Sequence, residues 1–343
     1  MKKRLLVLCI FFVTFVIVTS AFSMGTKPQK PERPYCETDY PIILVPGVLG
    51  FDTVFGIDYF YGITDSLEED GAIVYTVSLS GLSGTEPRGE QLIAFIDAIK
   101  ADNPKYTKFN VIAHSQGSTT SRYAMKRRPD AFASLTTIAG PHQGTPFSDY
   151  VNEEISDKFL AIAYPVLEML GGDLVAIFSG DNELVGSQDA ASLVEHFTKD
   201  GIEQFNNEYP CAGVPKGASH GSYGDDADTI DGSFYGDGLG NADGDIRFYS
   251  WTGNTGKGSV TWVDVLDAAF VVTNLFVREY GYNGDADGFV TVGSSHFGQV
   301  LCDTYYWNHG DEVNHLLGLI NPFAANPVSV FRQHANRLQK AGY

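Results

Sequence analysis

Short apolar runs alternate along this chain with segments whose apolar residues recur at helical spacing. The apolar runs predict strands, and these strands are 42–45, 71–77, 109–114 and 135–139. The helical spacing predicts helices at 89–100 and near 119–127. Strands that alternate with helices favour a parallel sheet covered by helices, which is an α/β fold.

One predicted strand runs directly into the sequence His114-Ser115-Gln116-Gly117. A serine on a tight turn between a strand and a helix needs small residues two positions away on either side, and Ala113 and Gly117 meet this demand. The pattern therefore indicates a nucleophilic serine at position 115. Because short Gly/Ser motifs also arise by chance, a polar loop after a buried strand is the alternative interpretation.

The chain begins with the three regions of a secretory signal peptide. Met1-Lys2-Lys3-Arg4 precedes an apolar run, and small residues follow up to Ser23. We predict a signal peptide at 1–23, a linker at 24–38 and a single domain at 39–343. Because the apolar run is short for a membrane span, an uncleaved anchor is less favoured. The mature protein is therefore predicted to be secreted.

The chain is acidic and has enough apolar residues for one large core. Of its 343 residues, 43% are hydrophobic and 13% are aromatic. The formal net charge is −19, and loss of the three basic signal residues makes it more negative, which argues against nucleic acid as a partner. Cys36, Cys211 and Cys302 remain after cleavage. An odd number of cysteines permits one disulfide, whose connectivity stays open.

Six segments spread over nearly the whole mature chain resemble one family. These segments are 56–63, 88–92, 114–117, 139–144, 307–314 and 327–338. On them the chain resembles the bacterial true lipases of the Pseudomonas and Burkholderia type. The resemblance implies an α/β-hydrolase fold, with a mostly parallel central sheet flanked by helices and a helical lid insertion at about 149–186. The apolar spacing in that region would equally suit a core helix.

A serine nucleophile needs a histidine base and an acid that orients the base, and in α/β-hydrolases the order is Ser, acid, His. The resemblance places the acid on Asp287, with Asp285 as the fallback, and the base on His309. Asp287 lies in an acidic turn that leads into a β-like pattern at 289–292. This turn also imitates the start of a calcium loop, but we reject that interpretation because Ser294 stands where a glutamate is required.

Two backbone N–H groups are needed to stabilise the tetrahedral intermediate, one from the residue after the nucleophile and one from the loop after the first strand. The backbone amides of Gln116 and Val48 match these positions. The chain departs from the family at Pro46, where a histidine is usual. Proline has no N–H, but the donor on Val48 is unaffected. The alternative is a simple turn after a strand.

The resemblance also implies one structural Ca²⁺ that ties the loop of His309 to the domain. The matching ligands are the carboxylates of Asp267 and Asp311 and the main-chain carbonyls of His315 and Leu319. Oxygen donors of this kind suit Ca²⁺, although exposed aspartates in an acidic protein are the alternative. One cysteine of a disulfide that is frequent in the family would fall at Gly293, so that bridge cannot form here.

The resemblance implies a secreted triacylglycerol lipase that hydrolyses carboxylic esters through an acyl-enzyme intermediate. It implies no redox or organic cofactor. The expected partners are a lipid or other ester substrate at an interface and, as in many members, a dedicated foldase, and the expected oligomeric state is a monomer. One alternative is a short-chain esterase or an aliphatic polyester depolymerase with the same triad. An alternative of another class is a non-catalytic protein that binds lipid surfaces.

Overall fold

The computed structural model describes residues 33–54, 57–155, 179–228, 234–256, 265–315 and 317–343. The predicted signal peptide lies outside the described residues, as do residues 156–178 of the predicted lid, so both stay predictions. Residues Tyr35–Tyr343 form one compact unit. Within the described ranges, no helix is both long enough and apolar enough to cross a membrane.

A seven-stranded sheet lies at the centre of this unit. Its strands are β1 (Ile42–Val45), β4 (Val74–Thr76), β5 (Phe109–His114), β6 (Phe132–Ile138), β7 (Tyr235–Gly236), β8 (Ile246–Gly253) and β9 (Gln299–Tyr305). The spatial order is β4-β1-β5-β6-β8-β7, and β9 also pairs with β8. Only β7 pairs in the antiparallel sense with its neighbour in this sheet. The predicted mostly parallel sheet is therefore confirmed.

Helices cover the sheet. They are α1 (Ile63–Glu69), α2 (Thr85–Asp102), α3 (Gln116–Arg127), α4 (Pro146–Glu154), α5 (Ala190–His196), α6 (Lys199–Glu208), α7 (Val265–Glu279), α8 (Val292–Ser295) and α9 (Pro327–Ala341). A separate antiparallel ribbon is formed by β2 (Thr53–Val54) and β3 (Ile57–Asp58).

The apolar runs predict the central strands because both faces of the sheet are buried. Along β1, Ile43 and Val45 belong to one core cluster, whereas Ile42 and Leu44 belong to another. Successive side chains of a strand point to opposite faces, so a strand that is covered on both sides is mostly apolar instead of alternating.

The helix predicted at 89–100 extends from Thr85 to Asp102. The sequence pattern misses the first turn because that turn is polar and carries no apolar spacing. The β-like pattern at 289–292 predicts a strand, and this prediction is wrong. A bridge between Ala286 and Thr291 closes this segment, and the short helix α8 follows it. The hydroxyl of Thr291 accepts a hydrogen bond from the backbone N–H of Ser294, which caps the helix.

Cys36, which lies in the predicted linker, is fully buried, and its backbone N–H donates to the carbonyl of Asp70. The ordered unit therefore includes the last residues of the segment that the sequence assigns to a linker. Cys36, Cys211 and Cys302 are free thiols in the part of the chain that the structure describes.

The carboxyl ends of the parallel strands lie along one edge of the sheet. At this edge β1 leads into the loop 46–50, and β5 leads into Ser115. Ligands bind at this edge in open α/β sheets. The sheet therefore brings the loop after the first strand and the turn after β5 to a common place.

Candidate active site

Ser115 lies on the sharp turn between β5 and α3. Its backbone has φ 53° and ψ −128°, and its N–H donates to the carbonyl of Ile138 at 2.8 Å. A non-glycine residue in such a conformation is strained by about 1–3 kcal/mol and persists only where its surroundings hold it. The turn therefore fixes the direction of the hydroxyl relative to the sheet.

Two glycines allow this turn to pack against the loop after β1. A Cβ added at Gly47 would lie 2.7 Å from the Cβ of Ser115. A Cβ added at Gly117 would lie 2.7 Å from the carbonyl oxygens of both Val45 and Pro46. Real Cβ atoms essentially never approach other atoms this closely, so only glycine fits at either position without a shift of the backbone.

His309 connects Ser115 to Asp287 through two short hydrogen bonds. The distance from His309 Nε2 to Ser115 Oγ is 2.8 Å, and the distance from His309 Nδ1 to Asp287 Oδ2 is 2.7 Å. All three side chains are buried. A carboxylate on Nδ1 fixes the tautomer in which Nε2 is free to accept the proton of the serine.

The other oxygen of Asp287 is held by the backbone. Oδ1 accepts hydrogen bonds from the N–H groups of Phe289 and Val290 at 2.8 and 2.7 Å. The fallback residue, Asp285, is exposed and accepts a hydrogen bond from Asn254 instead. The structure thus brings Asp287, and not Asp285, to His309.

The backbone N–H groups of Val48 and Gln116 meet no acceptor among the described residues. The carbonyl of Gly47 accepts a hydrogen bond from Arg88 at 2.8 Å. In a trans peptide the C=O and N–H bonds are antiparallel. The N–H of Val48 therefore points away from Arg88 and stays available to another acceptor.

Arg88, on α2, fixes the loop after β1, a role that the sequence alone does not indicate. Its guanidinium donates to the carbonyls of Pro46, at 2.7 Å, and of Ser80. Burial lowers the pKa of Arg88 to about 9, so the group is still a cation at neutral pH. A planar fork of donors can satisfy several carbonyls at once, which an ammonium cannot do.

A second buried network joins this loop to the segment after His309. The Tyr59 hydroxyl accepts from the N–H of Gly47 at 3.0 Å and lies 2.8 Å from Nδ1 of His114. Nε2 of His114 lies 3.3 Å from Glu312 Oε2. Burial and the neighbouring His309 lower the pKa of His114 well below its usual range, so it is neutral. The tyrosine then donates to Nδ1, and Nε2–H donates to Glu312.

Glu312 is a buried acid that the sequence alone does not single out. It lies 4.0 Å from His309 Nδ1 and accepts hydrogen bonds from the N–H of Gly253 and the hydroxyl of Thr252. Burial, together with the charge of Asp287, raises the pKa of Glu312 well above its usual range. Only the three-dimensional arrangement distinguishes it from the surface acids of this chain.

Asp267 and Asp311 are buried and are bridged by Asn308. The amide Nδ2 of Asn308 donates to Asp267 Oδ1 at 2.6 Å, and its backbone N–H donates to Asp311 Oδ2 at 3.1 Å. One residue therefore brings together two carboxylates that lie far apart in sequence. His315 and Leu319 follow Asp311 on the same loop.

This donor set fits a hard cation. Asn308 bonds to both buried carboxylates, and Ca²⁺ prefers oxygen ligands of this kind together with main-chain carbonyls. Asn308, which the sequence alone does not single out, adds two hydrogen bonds that orient the carboxylates.

The geometry supports nucleophilic acyl transfer. Ser115 is hydrogen-bonded to a base, and the base is hydrogen-bonded to an acid. The N–H of Gln116 belongs to the next residue, and the N–H of Val48 belongs to the loop that packs on Ser115. These are the parts that ester hydrolysis through a covalent intermediate requires.

Comparison with known proteins points in the same direction. Residues 40–241 match the family described as the alpha/beta hydrolase fold. The chain is 36% identical to a triacylglycerol lipase of Vibrio cholerae over 97% of this chain and 98% of that protein. It is 33% identical to a triacylglycerol lipase of Burkholderia plantarii over 90% of this chain and 88% of that protein. The crystal structure of a Staphylococcus hyicus lipase has the same fold, with a TM-score of 0.59 and 17% identity, and the match covers 91% and 99% of the two chains.

Proposed function

The chain belongs to the triacylglycerol lipase family of the α/β-hydrolase fold, and on this premise we propose that Ser115, His309 and Asp287 are its nucleophile, base and acid. Membership in this family makes the protein a carboxylic ester hydrolase. The observation that carries the assignment is the pair of hydrogen bonds, 2.8 and 2.7 Å long, that joins the three side chains through His309.

In the first half of the reaction, Ser115 Oγ attacks the ester carbonyl carbon while His309 Nε2 takes the hydroxyl proton. The carbonyl π electrons move onto oxygen, and the N–H groups of Val48 and Gln116 stabilise the resulting oxyanion. When the tetrahedral intermediate collapses, the bond to the alcohol oxygen breaks, and the His309 imidazolium protonates the departing alcohol. The acyl group remains on Ser115.

In the second half, a water molecule takes the place of the alcohol. His309 removes one water proton as the water oxygen attacks the acyl carbon, and the same two N–H groups stabilise the second oxyanion. Collapse breaks the bond to Ser115 Oγ, which regains its proton from His309. Asp287 holds the imidazole in one tautomer and stabilises its positive charge in both halves.

The substrate class we propose is triacylglycerol at a lipid–water interface. Similarity over almost the whole length of proteins named triacylglycerol lipase supports this assignment. The test is hydrolysis of triglycerides from tributyrin to triolein, measured below and above the solubility limit. We expect hydrolysis of triolein emulsions and a rate that rises once tributyrin forms droplets.

Activity confined to dissolved short-chain esters would contradict the lipase assignment and favour a short-chain esterase. Hydrolysis of an aliphatic polyester film without triolein hydrolysis would favour a depolymerase. A non-catalytic lipid-binding protein would hydrolyse none of these substrates. Stoichiometric labelling of Ser115 by an organophosphonate would exclude that last alternative.

We propose further that one Ca²⁺ is bound by the carboxylates of Asp267 and Asp311 and the carbonyls of His315 and Leu319. The burial of both carboxylates and the bridging hydrogen bonds of Asn308 support this site. The ion would supply positive charge between two buried anions. Because Asp311 lies two residues after His309, a fixed Asp311 would restrain the loop that carries the base.

Removal of calcium is expected to lower the unfolding temperature. A ligand that binds only the folded state stabilises it by about 2.7 kcal/mol when its concentration is 100 times Kd. The wild type should therefore unfold at a lower temperature in EGTA than in excess CaCl₂, measured by differential scanning calorimetry. Asp311→Asn should unfold at the same temperature in both.

The matched control is Asp245→Asn, which changes an exposed aspartate outside the proposed site. This variant should respond to calcium as the wild type does. Isothermal titration calorimetry should give one calcium ion per wild-type chain. Equal unfolding temperatures of the wild type in EGTA and in calcium would refute the site.

A further inference from the structure

A run without charged side chains follows the segment that carries His309. No Asp, Glu, Lys or Arg occurs at positions 313–331. In a chain that is 19% charged and has a net charge of −19, about four charged residues would be expected in a run of this length. Its position after Glu312 means that the uncharged run begins within the proposed active-site segment.

The middle of this run exposes large apolar side chains, although Val313 and Phe331 at its ends are buried. Phe323 is 95% exposed, and Leu317 and Leu319 are about half exposed. Single apolar residues on a surface are ordinary, but an uninterrupted apolar patch on an acidic surface indicates contact with another phase or molecule. We call residues 317–323 the apolar loop.

Partly buried hydrogen bonds within and after the apolar loop hold its C-terminal part in place. The N–H of Phe323 donates to the side-chain oxygen of Asn321 at 2.9 Å, and the indole N–H of Trp307 donates to the carbonyl of Ala325 at 2.8 Å. The residue after this turn, Asn326, caps α9 through the N–H of Ser329. Phe323 is thus presented by a fixed turn, so little conformational entropy is lost when it binds.

His315, just before the apolar loop, packs near the segment that follows the loop after β1. The ring of His315 packs on the rings of Phe51 and Tyr59, with centroid distances of 5.8 and 4.9 Å. Leu49, which follows Val48, is itself 37% exposed. Exposed apolar side chains therefore lie in the loop that carries Val48 and, a few residues after His315, in the apolar loop.

We propose that the apolar loop is a lipid-surface anchor, in which Phe323, Leu317 and Leu319 insert into an uncharged lipid surface and hold the protein on it. The use of such an anchor in catalysis rests on the proposed function, but lipid binding itself does not require catalysis. The remainder of the surface is acidic, so it is not attracted electrostatically to an uncharged lipid layer and is repelled by an anionic one. The uncharged run can enter lipid without burying a charged side chain.

The test measures binding and catalysis separately. Binding to dioleoylphosphatidylcholine vesicles is measured by flotation in the Ser115→Ala background, which removes turnover. Phe323→Ser should weaken partitioning about tenfold, because a phenyl group no longer leaves water. Phe323→Trp should retain binding and show a blue shift of tryptophan emission on mixing with vesicles.

Leu239→Ser is the matched control, because Leu239 is an exposed apolar residue whose carbonyl is bonded to Lys126, near the end of α3 that lies away from Ser115. Its partitioning should equal that of the parent. In the active protein, Phe323→Ser should slow hydrolysis of triolein emulsions and leave hydrolysis of dissolved p-nitrophenyl butyrate unchanged.

Equal partitioning of Phe323→Ser and its parent would overturn the proposal. So would an equal loss on the dissolved ester, which would indicate a structural role, or a change in sedimentation coefficient, which would indicate that the loop contacts a second copy of the chain. Failure of the wild type to hydrolyse any ester would refute the proposed function, but the binding measurement would still decide the anchor.

Discussion

Replacement of Ser115 by alanine is expected to lower kcat/KM for ester hydrolysis about a millionfold. The methyl group cannot attack the carbonyl carbon, and no other hydroxyl is hydrogen-bonded to His309 among the described residues. The residual rate should come only from the oxyanion donors and from binding. Initial rates on a dissolved ester measure this loss without interference from a lipid surface.

Ser121→Ala is the matched control for this variant. Ser121 lies on α3 and is equally buried, and its hydroxyl has no hydrogen-bond partner among the described residues. Its removal leaves nothing unpaired, so activity and unfolding temperature should stay near those of the wild type. An organophosphonate should label the control stoichiometrically but not Ser115→Ala. Retention of wild-type activity by Ser115→Ala would mean that another residue is the nucleophile.

The second large effect is expected for Arg88→Met, which should lower kcat by about a hundredfold to a thousandfold, the range for loss of one oxyanion donor. Arg88 holds the carbonyl of Gly47, and through that peptide it fixes the direction of the Val48 N–H. Without the guanidinium the carbonyl of Gly47 keeps only the longer hydrogen bond from the N–H of Gly50, at 3.2 Å, so the peptide is held less firmly. Since the dissolved ester meets this N–H mainly in the transition state, KM should change less than kcat.

Stability should fall as well, because buried carbonyl acceptors lose their donor, at about 1–3 kcal/mol for each group left unsatisfied. Arg88→Lys should recover only part of kcat, since an ammonium lacks the planar fork that reaches several carbonyls. Kinetics must therefore be measured well below the unfolding temperature of each variant.

The variant Arg122→Met distinguishes loss of the Val48 N–H position from general loss of stability. Arg122 is a fully buried arginine on α3 that donates to Asn206 and to the carbonyl of Tyr209 and has no hydrogen bond to the loop after β1. It should lower the unfolding temperature but leave kcat nearly unchanged. If Arg122→Met and Arg88→Met lower kcat equally, the effect of Arg88 is general destabilisation and the positioning role is wrong.

The sequence identifies the parts of this site that depend on neighbours in the chain. The strand that leads into Ser115 is mostly apolar because both faces of the sheet are covered, and the glycine at 117 is required by the carbonyls of Val45 and Pro46. The small residues Ala113 and Gly117, two positions before and after the serine, reflect this crowding. Local patterns of this kind predict the central sheet and the turn after β5 without knowledge of the rest of the fold.

Local sequence patterns do not decide the structure where an apolar or acidic stretch is compatible with more than one arrangement. The segment at 289–292 looks like a strand, but the N–H groups of Phe289 and Val290 bond to Asp287 instead of to a neighbouring strand. Asp285 and Asp287 stand in the same acidic turn, and no local feature shows which one reaches His309. Burial of Asp287 and exposure of Asp285 make that choice.

The sequence by itself determined the α/β architecture, the nucleophile candidate and, through resemblance, the candidate acid, base and calcium ligands. Only the tertiary structure decided how these groups meet and which groups support them. Arg88 reaches the loop after β1 from 41 positions away, and Glu312 reaches His114 from 198 positions away. Periodicity and motifs record the demands of adjacent residues, whereas hydrogen bonds between such distant residues depend on how the chain folds back on itself, which no local pattern encodes.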